Sequence, residues 1–459
     1  MKWSFDAIVI GAGQSGPPLA ARFAQAGMSV ALIEREHLGG TCVNDGCIPT
    51  KTLVASARVA QVARQAANFG VRVGGEVSVD MRAVKARKDA VVNQSVAALT
   101  AWMAGLPTLT LIRGQARFTG PNQVRVGDDE LTAPKIFINV GGRATVPDWP
   151  GIHEVPYLTN TSMMAVDFLP RHLVIVGGSY IGLEFAQMYR RFGSEVTVIE
   201  AAPRLIARED AEVSDEVRAM LEREGVVIHA GATNLAMAHE RAEVRVAFDA
   251  DGAAHRVHGS HLLLAVGRRP NTDELGLDAA GIALDARGFI GVDDELRTSA
   301  PGVWALGDVN GKGAFTHTSY NDFEIVVANL LDGGTRRVSD RVMAYALYTD
   351  PPLGRIGMSE AEVRASGRAA LVASFPMARV GRARERGETT GFMKVMVDAQ
   401  TKVILGAALL GIEADEVVQL LLLAMAADLP YTRITQTMFI HPTVTELLPS
   451  LFAALKPLT

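Results

Sequence analysis

Both cysteines of the 459-residue chain fall in one stretch, Gly39-Gly40-Thr41-Cys42-Val43-Asn44-Asp45-Gly46-Cys47-Ile48-Pro49-Thr50-Lys51. Sulfurs this close in sequence can close a short disulfide ring. The run after Cys47, through Ala55, Ala57 and Val59, reads as a helix, whose exposed N–H groups lower the pKa of a thiol at its start. Two unrelated buried thiols would each act as a small hydrophobe. In a cytosolic-looking chain with no other cysteine, the close pair reads instead as redox chemistry rather than a staple.

The elements around this stretch are dinucleotide units. An apolar strand at 7–10 leads into Gly11-Ala12-Gly13-Gln14-Ser15-Gly16, an Ala-rich helical run, and a second strand at 29–33 that ends at Glu34. Gly11 makes the tight turn, Gly13 admits a pyrophosphate to the backbone, and Gly16 allows close helix–strand packing. Glu34 is placed to accept hydrogen bonds from ribose hydroxyls. Pro17-Pro18 is tolerated in a first helical turn, where the N–H has no intrahelical partner. The plan recurs at 173–200: a strand, Gly177-Gly178-Ser179-Tyr180-Ile181-Gly182, a helix, and a strand that ends at Glu200, with Ser179 at the third motif position. Two such units imply two nucleotides on one chain.

Between them, 81–101 reads as a charged helix and 109–112 and 124–126 as short strands. Phe137-Ile138-Asn139-Val140-Gly141-Gly142 is a strand running into a glycine turn, and residues 146–151 look like a linker. Residues 261–272 repeat the strand-then-glycine pattern through Gly267. From about Met343 the chain reads as α+β, with strands at 392–397 and 404–410 and helices at 416–427 and 445–455.

Hydrophobic residues make up 48% and charged residues 21% of the chain, enough for a large buried core in roughly two to four domains. A net charge of -5 gives no reason to expect nucleic acid or an anionic membrane as partner. The longest apolar run, at 417–427, is interrupted by Gln419 and too short to span a bilayer. Residues 1–10 lack the plan of a signal peptide, so a cytoplasmic location is expected.

Gly40-Thr41-Cys42, Gly46-Cys47 and Pro49 with Lys51 resemble the active-site motif of the FAD-dependent (class I) pyridine nucleotide–disulfide oxidoreductases, a family that includes dihydrolipoamide dehydrogenase, glutathione reductase and mercuric reductase. The resemblance extends over nearly the whole chain. It implies an α/β fold with two Rossmann-like dinucleotide-binding domains, for FAD and NAD(P), and a C-terminal α+β dimerisation domain. The expected division is an FAD domain at 1–147 and 271–342, an NAD(P) domain at 148–270, and an interface domain at 343–459.

Carried over residue by residue, the resemblance assigns FAD to Gly11, Gly13, Gly16, Glu34, Gly40, Thr41, Lys51, Gly142, Asp308 and Thr316. It assigns the nicotinamide cofactor to Gly177, Tyr180, Gly182, Glu200 and Gly267. Asp308 matches the acid on the flavin's ribityl chain, and His317 stands where relatives often have proline. Lys51 and Glu184 match an ion pair near flavin N5, where a cation favours the anionic reduced ring. Tyr180 matches a ring that covers the flavin until nicotinamide displaces it. A carboxylate at Glu200 accepts from a ribose 2′-hydroxyl and repels a 2′-phosphate, which favours NADH, while Arg204 and Arg208 keep NADPH possible.

His441-Pro442-Thr443-Val444-Thr445-Glu446 resembles the C-terminal motif of the disulfide-reducing members. There the histidine reaches the cysteines of the other subunit of a homodimer and the glutamate orients it. Imidazole suits the task because its pKa lies near working pH. The implied path runs from NADH through FAD to a redox-active Cys42–Cys47 disulfide. Cys47 would lie next to the flavin and Cys42 would be the exposed thiolate that attacks substrate. No resident metal is expected.

Residues 46–53 and 177–184 look most like mercuric reductase-like members, so the expected substrate is a disulfide or a thiophilic metal ion. True mercuric reductases carry a further cysteine pair near the C-terminus, and residues 451–459 hold none. Dihydrolipoamide dehydrogenase is the first alternative, although Phe439-Ile440 replaces the usual His-Ala. Copper, a quinone or oxygen are further possible acceptors, and a redox sensor or non-catalytic complex subunit is the alternative of another class. Asp45, between the cysteines, is expected to raise the neighbouring thiol pKa or offer an oxygen to a cation.

Overall fold

The computed structural model describes residues 1–458. Two parallel sheets of like plan carry the two glycine turns. The first has the order Val303–Ala305, Ile136–Ile138, Ala7–Ile10, Val30–Glu34, Leu109–Arg113. Ala7–Ile10 and Val30–Glu34 are buried at every position, which is why they read as unbroken apolar runs and not as alternating strands. Their edge partner Val303–Ala305 comes from beyond the second glycine unit, so the first sheet is completed by chain that has already built the other.

The second sheet has the order Tyr157–Leu158, His261–Leu264, His172–Val176, Glu195–Ile199, Val227–His229, again parallel. In each unit a helix leaves the glycine turn: Gly16–Gln25 in the first, with proline in its first turn, and Tyr180–Phe192 in the second. The last motif glycine is fixed by packing. A Cβ on Gly16 would lie 2.1 Å from the Gly11 carbonyl oxygen, and one on Gly182 would lie 1.9 Å from that of Gly177.

The sequence pattern located Met81–Ala104, capped by the Asp80 carboxylate, and Ala414–Ala426 to within a few residues. The run expected as one helix at 445–455 is instead a 3-10 turn, Thr445–Leu447, followed by Leu448–Ala453. Pro449 sits in the first turn of the second piece, where its missing N–H costs nothing. The short strand expected at 124–126 is Gln123–Val126, and it belongs to a sheet otherwise unread, antiparallel to Ala116–Gly120 and Asp129–Thr132, with Lys2–Ser4 parallel to the last. The antiparallel meander Thr233–Glu240, Glu243–Ala250, Ala253–Gly259 was also unread.

Residues 344–457 form a six-stranded sheet in the order Ala344–Leu347, Leu353–Gly357, Ile404–Leu410, Phe392–Asp398, Ala370–Pro376, Lys456–Pro457. The helix Ala414–Ala426 covers it through Val417, Val418 and Leu421. Among the described residues no helix is long and apolar enough to cross a membrane.

Candidate active site

Cys42 lies in a short helix, Gly40–Asn44, and Cys47 is the first residue of the helix Cys47–Gln65, the two separated by the Asp45-Gly46 break. Gly46 has no room for a side chain, since a Cβ there would meet the Thr41 carbonyl oxygen at 2.8 Å. Both cysteines are thiols in the structure, the reduced form of the pair. Cys47 is the more exposed. Its Sγ lies 3.2 Å from Thr316 Oγ1, and both residues line a cavity of about 800 Å3.

The hydrogen bond it accepts from Cys42 holds Cys47 down to about pKa 6, with help from Thr316 and the Lys51 charge. Cys42 moves the opposite way, raised first by donating that hydrogen bond and then by burial. The reduced pair therefore carries one thiolate, on Cys47, and one proton, on Cys42. Within one chain Cys42 keeps its proton, so the attack on substrate expected of it requires that proton to be removed first. Asp45 is also corrected. Its carboxylate takes the Thr161 hydroxyl, and the dominant causes of the Cys42 shift are Cys47 and burial.

Lys51, one helical turn after Cys47, donates to both Glu184 oxygens at 2.9 and 2.8 Å. Glu184 is 6% exposed and also accepts the Tyr348 backbone N–H at 3.0 Å, while the Lys51 ammonium stands 4.6 Å from the Tyr348 ring centroid. The ion pair is thus aimed by the first unit, the second unit and the sheet of residues 344–457 together.

The cavity runs from Glu34 past Gly13, Gly40 and Thr41 to Cys47 and Lys51. Glu34 is fixed at its end, accepting the N–H groups of Ala12 at 2.8 Å and Glu36 at 2.7 Å. Gly40 has φ +58 and its Cβ would press on Gly13 Cα at 2.8 Å, so Gly40 leaves no room for a side chain between turn and loop. Asp308 borders the far side, its pKa raised by burial, with Arg268 Nε 3.8 Å away. Gly142 follows the lining residue Gly141 but does not itself line the cavity, and a Cβ there would meet the Arg269 carbonyl oxygen at 2.8 Å. A backbone cradle at a helix start, an acid at each end and a cation beside the thiolate are a donor set that fits FAD.

In the second unit, a Cβ on Gly177 would meet the Ala265 oxygen at 2.3 Å, and Gly267 has φ +112. Glu200 accepts from Gly178 and Ala202 N–H groups, as Glu34 does from its own turn. Tyr180 lines the flavin-side cavity from the start of its helix. His317, which stands where relatives often have proline, donates from Nε2 to the Ala344 carbonyl at 2.6 Å.

His441 Nδ1 pairs with Glu446 at 2.9 and 3.1 Å, yet the imidazole is 80% exposed and neither residue borders the cavity. One chain does not bring this pair to its own cysteines. Its neighbours Met438 and Ile440 are exposed apolar side chains.

Residues 5–322 match the family described as pyridine nucleotide-disulphide oxidoreductase, and residues 343–451 match its dimerisation domain. The chain belongs to this family. It is therefore an FAD-dependent pyridine nucleotide–disulfide oxidoreductase of the expected α/β fold. It is 39% identical to the probable pyridine nucleotide-disulfide oxidoreductase RclA of Escherichia coli, over 98% of this chain and 99% of that one. It is 33% identical to the dihydrolipoyl dehydrogenase of Thermus scotoductus, over 96% and 95%, and 30% identical to the mercuric reductase of Bacillus cereus, over 97% and 70%. A solved Cu(II) complex of the HOCl-induced flavoprotein disulfide reductase RclA superposes with a TM-score of 0.89 at 37% identity, covering 98% of this chain and 99% of that one.

Sequence reasoning missed the residues that hold the named ones in place. Asp322 accepts the Gly307 N–H at 2.8 Å and the Asn310 amide at 2.9 Å, which fixes the turn carrying Asp308, and Arg341 pairs with Asp322. Arg268, in the glycine segment after Gly267, reaches Thr41 Oγ1 at 3.4 Å. Tyr348, Glu209 and Tyr345 gave no local signal, because their roles depend on contacts between distant segments.

Proposed function

We propose that the protein is an NADH-dependent flavoprotein reductase, acting as a homodimer in the cytoplasm, whose Cys42–Cys47 dithiol reduces a thiophilic acceptor, with Cu(II) as the preferred ion. The observation that carries the reading is the asymmetric dithiol: a Cys47 thiolate open to the cavity beside Lys51–Glu184, and a Cys42 thiol that keeps the proton. The likeness to RclA, which has been solved as a Cu(II) complex, supports copper over mercury.

Bound FAD supplies the two-electron carrier between nicotinamide and the cysteine pair. Glu34, the Gly11–Gly16 turn and Asp308 would hold that group, and Gly177, Gly182 and Glu200 would hold the nicotinamide nucleotide. Glu184 orients Lys51, whose charge keeps Cys47 ionised. His441 of the second subunit, steadied by Glu446, takes the proton that Cys42 must lose before its sulfur can act. Two Cu(II) ions then each take one electron to become Cu(I), the Cys42–Cys47 S–S bond forms, and the pair's single proton, from Cys42, leaves to His441.

Dihydrolipoamide as a substrate is the second reading, favoured by the intact His441–Glu446 pair. Steady-state turnover with Cu(II), Hg(II), lipoamide and glutathione disulfide, at equal NADH, separates them. Highest kcat/KM with Cu(II) is the expected result, and a dominant lipoamide activity would overturn the metal assignment.

A further inference from the structure

The ring of Tyr180 rests edge-on against Phe315 and Tyr345, at 6.3 and 5.6 Å between centroids. Those two belong to a stack in which Phe315 lies 5.3 Å from Tyr345 and 5.4 Å from His317. The stack is a firm wall, anchored by the His317 bond to Ala344, and its Tyr345 hydroxyl lies in hydrogen-bond contact with that of Tyr180. A shared carboxylate oxygen holds both hydroxyls. The Tyr180 hydroxyl donates to Glu209 Oε1 at 3.0 Å, and Tyr345 donates to the same oxygen at 2.7 Å.

Glu209 itself is buried and rigidly placed. Its Oε2 makes no hydrogen bond, and Arg355, 2% exposed, holds Nη1 3.6 Å from it while also reaching Asp210 at 3.1 Å. The Lys394 ammonium faces Asp210, Glu212 and Glu360 in the same cluster. A carboxylate with one oxygen unbonded and the other shared by two phenols is built to accept strongly, because a hydrogen bond to a charged acceptor is about twice as strong as a neutral one. Glu209 lies outside the cavity lining and does not approach the cysteines, so it has no part in the dithiol chemistry.

We propose that Glu209, sharing its oxygen with Tyr345, is a latch that holds the Tyr180 ring across the passage between the nicotinamide unit and the flavin cavity. Nicotinamide enters only when the Tyr180–Glu209 hydrogen bond breaks, so the latch opposes cofactor binding and limits access to the flavin between turnovers. Glu209 and Tyr345 are positioning residues in this scheme. The inference rests on the reading of Tyr180 as the ring that covers the flavin.

The test is the equilibrium dissociation constant of NAD+ for the oxidised holoenzyme, measured by calorimetry on the wild type, Tyr180→Phe, Glu209→Gln and the double variant. Tyr180→Phe keeps the ring and removes its hydroxyl, with the bond to Glu209 and the contact to Tyr345. Each single variant is expected to bind NAD+ about tenfold more tightly, as loss of one charge-assisted hydrogen bond would give, with no further gain in the double variant. Unchanged or weaker binding in Tyr180→Phe overturns the latch. If Glu209→Gln fails to fold, because Arg355 loses its counter-charge, Tyr180→Phe decides alone. A wild type that binds no NAD+ would instead overturn the nicotinamide-site reading and the latch with it.

Discussion

At Cys47 the helix start, the Cys42 S–H, Thr316 and the Lys51 ammonium all favour the thiolate, and burial and the Glu184 charge oppose them. The depressed pKa means that the thiolate persists above about pH 6 and is lost as pH falls through that value. Iodoacetamide alkylation of Cys47 in the reduced enzyme should therefore rise through a midpoint near pH 6, and Lys51→Met should move that midpoint upward. A midpoint at the ordinary thiol value in the wild type would contradict the charge assignment. Glu200 makes a second prediction at this scale. NADH should exceed NADPH in kcat/KM by about tenfold or more, and Glu200→Ala should erase most of that ratio, through KM and not kcat.

The helix Tyr180–Phe192 meets three parts of the chain through one face. Glu184 takes Lys51 and the Tyr348 N–H. Gln187 exchanges hydrogen bonds with the Asp350 backbone at 2.9 and 2.7 Å, and Arg191 pairs with Asp350 and Glu224. Arg58, from the cysteine helix, also pairs with Asp350. Asp350→Asn leaves the buried Arg191 short of counter-charge and should cost roughly 3 kcal/mol, read as a lowered Tm of the holoenzyme. Little of this was legible beforehand. The glycine turns and the acids Glu34 and Glu200 sit in short motifs whose spacing carries their chemistry, so the sequence exposed them, and the Lys51–Glu184 pair was implied by the family resemblance. Asp350, Glu209 and Asp322 act through segments more than a hundred residues away or through turns with no motif, and only folding brings their partners together. Pro449 is the reverse case: it was visible in the sequence, and its power to restart a helix was passed over.

The molecule as a whole leaves one active-site part unplaced. His441 and Glu446 are paired and ready, but they stand in solvent beside exposed Met438 and Ile440, away from the cavity of their own chain. In the proposed homodimer, a twofold contact through the 343–451 domain would complete the site from both sides. Mixed dimers of a Cys47→Ser chain and a His441→Gln chain should recover about half of wild-type activity, since one of the two shared sites is then intact. Homodimers of His441→Gln should lose about a hundredfold or more in turnover of a disulfide substrate. No recovery in the mixed dimer would place the histidine's action within one chain. The central claim is that electrons from nicotinamide reach this dithiol. It is tested most directly by anaerobic NADH titration of the yellow holoenzyme, followed by its visible spectrum. A red-orange species with the Cys47 thiolate beside the flavin, absent in Cys47→Ser, is the predicted result. Simple bleaching of wild type and variant alike, or no change at all, would contradict it.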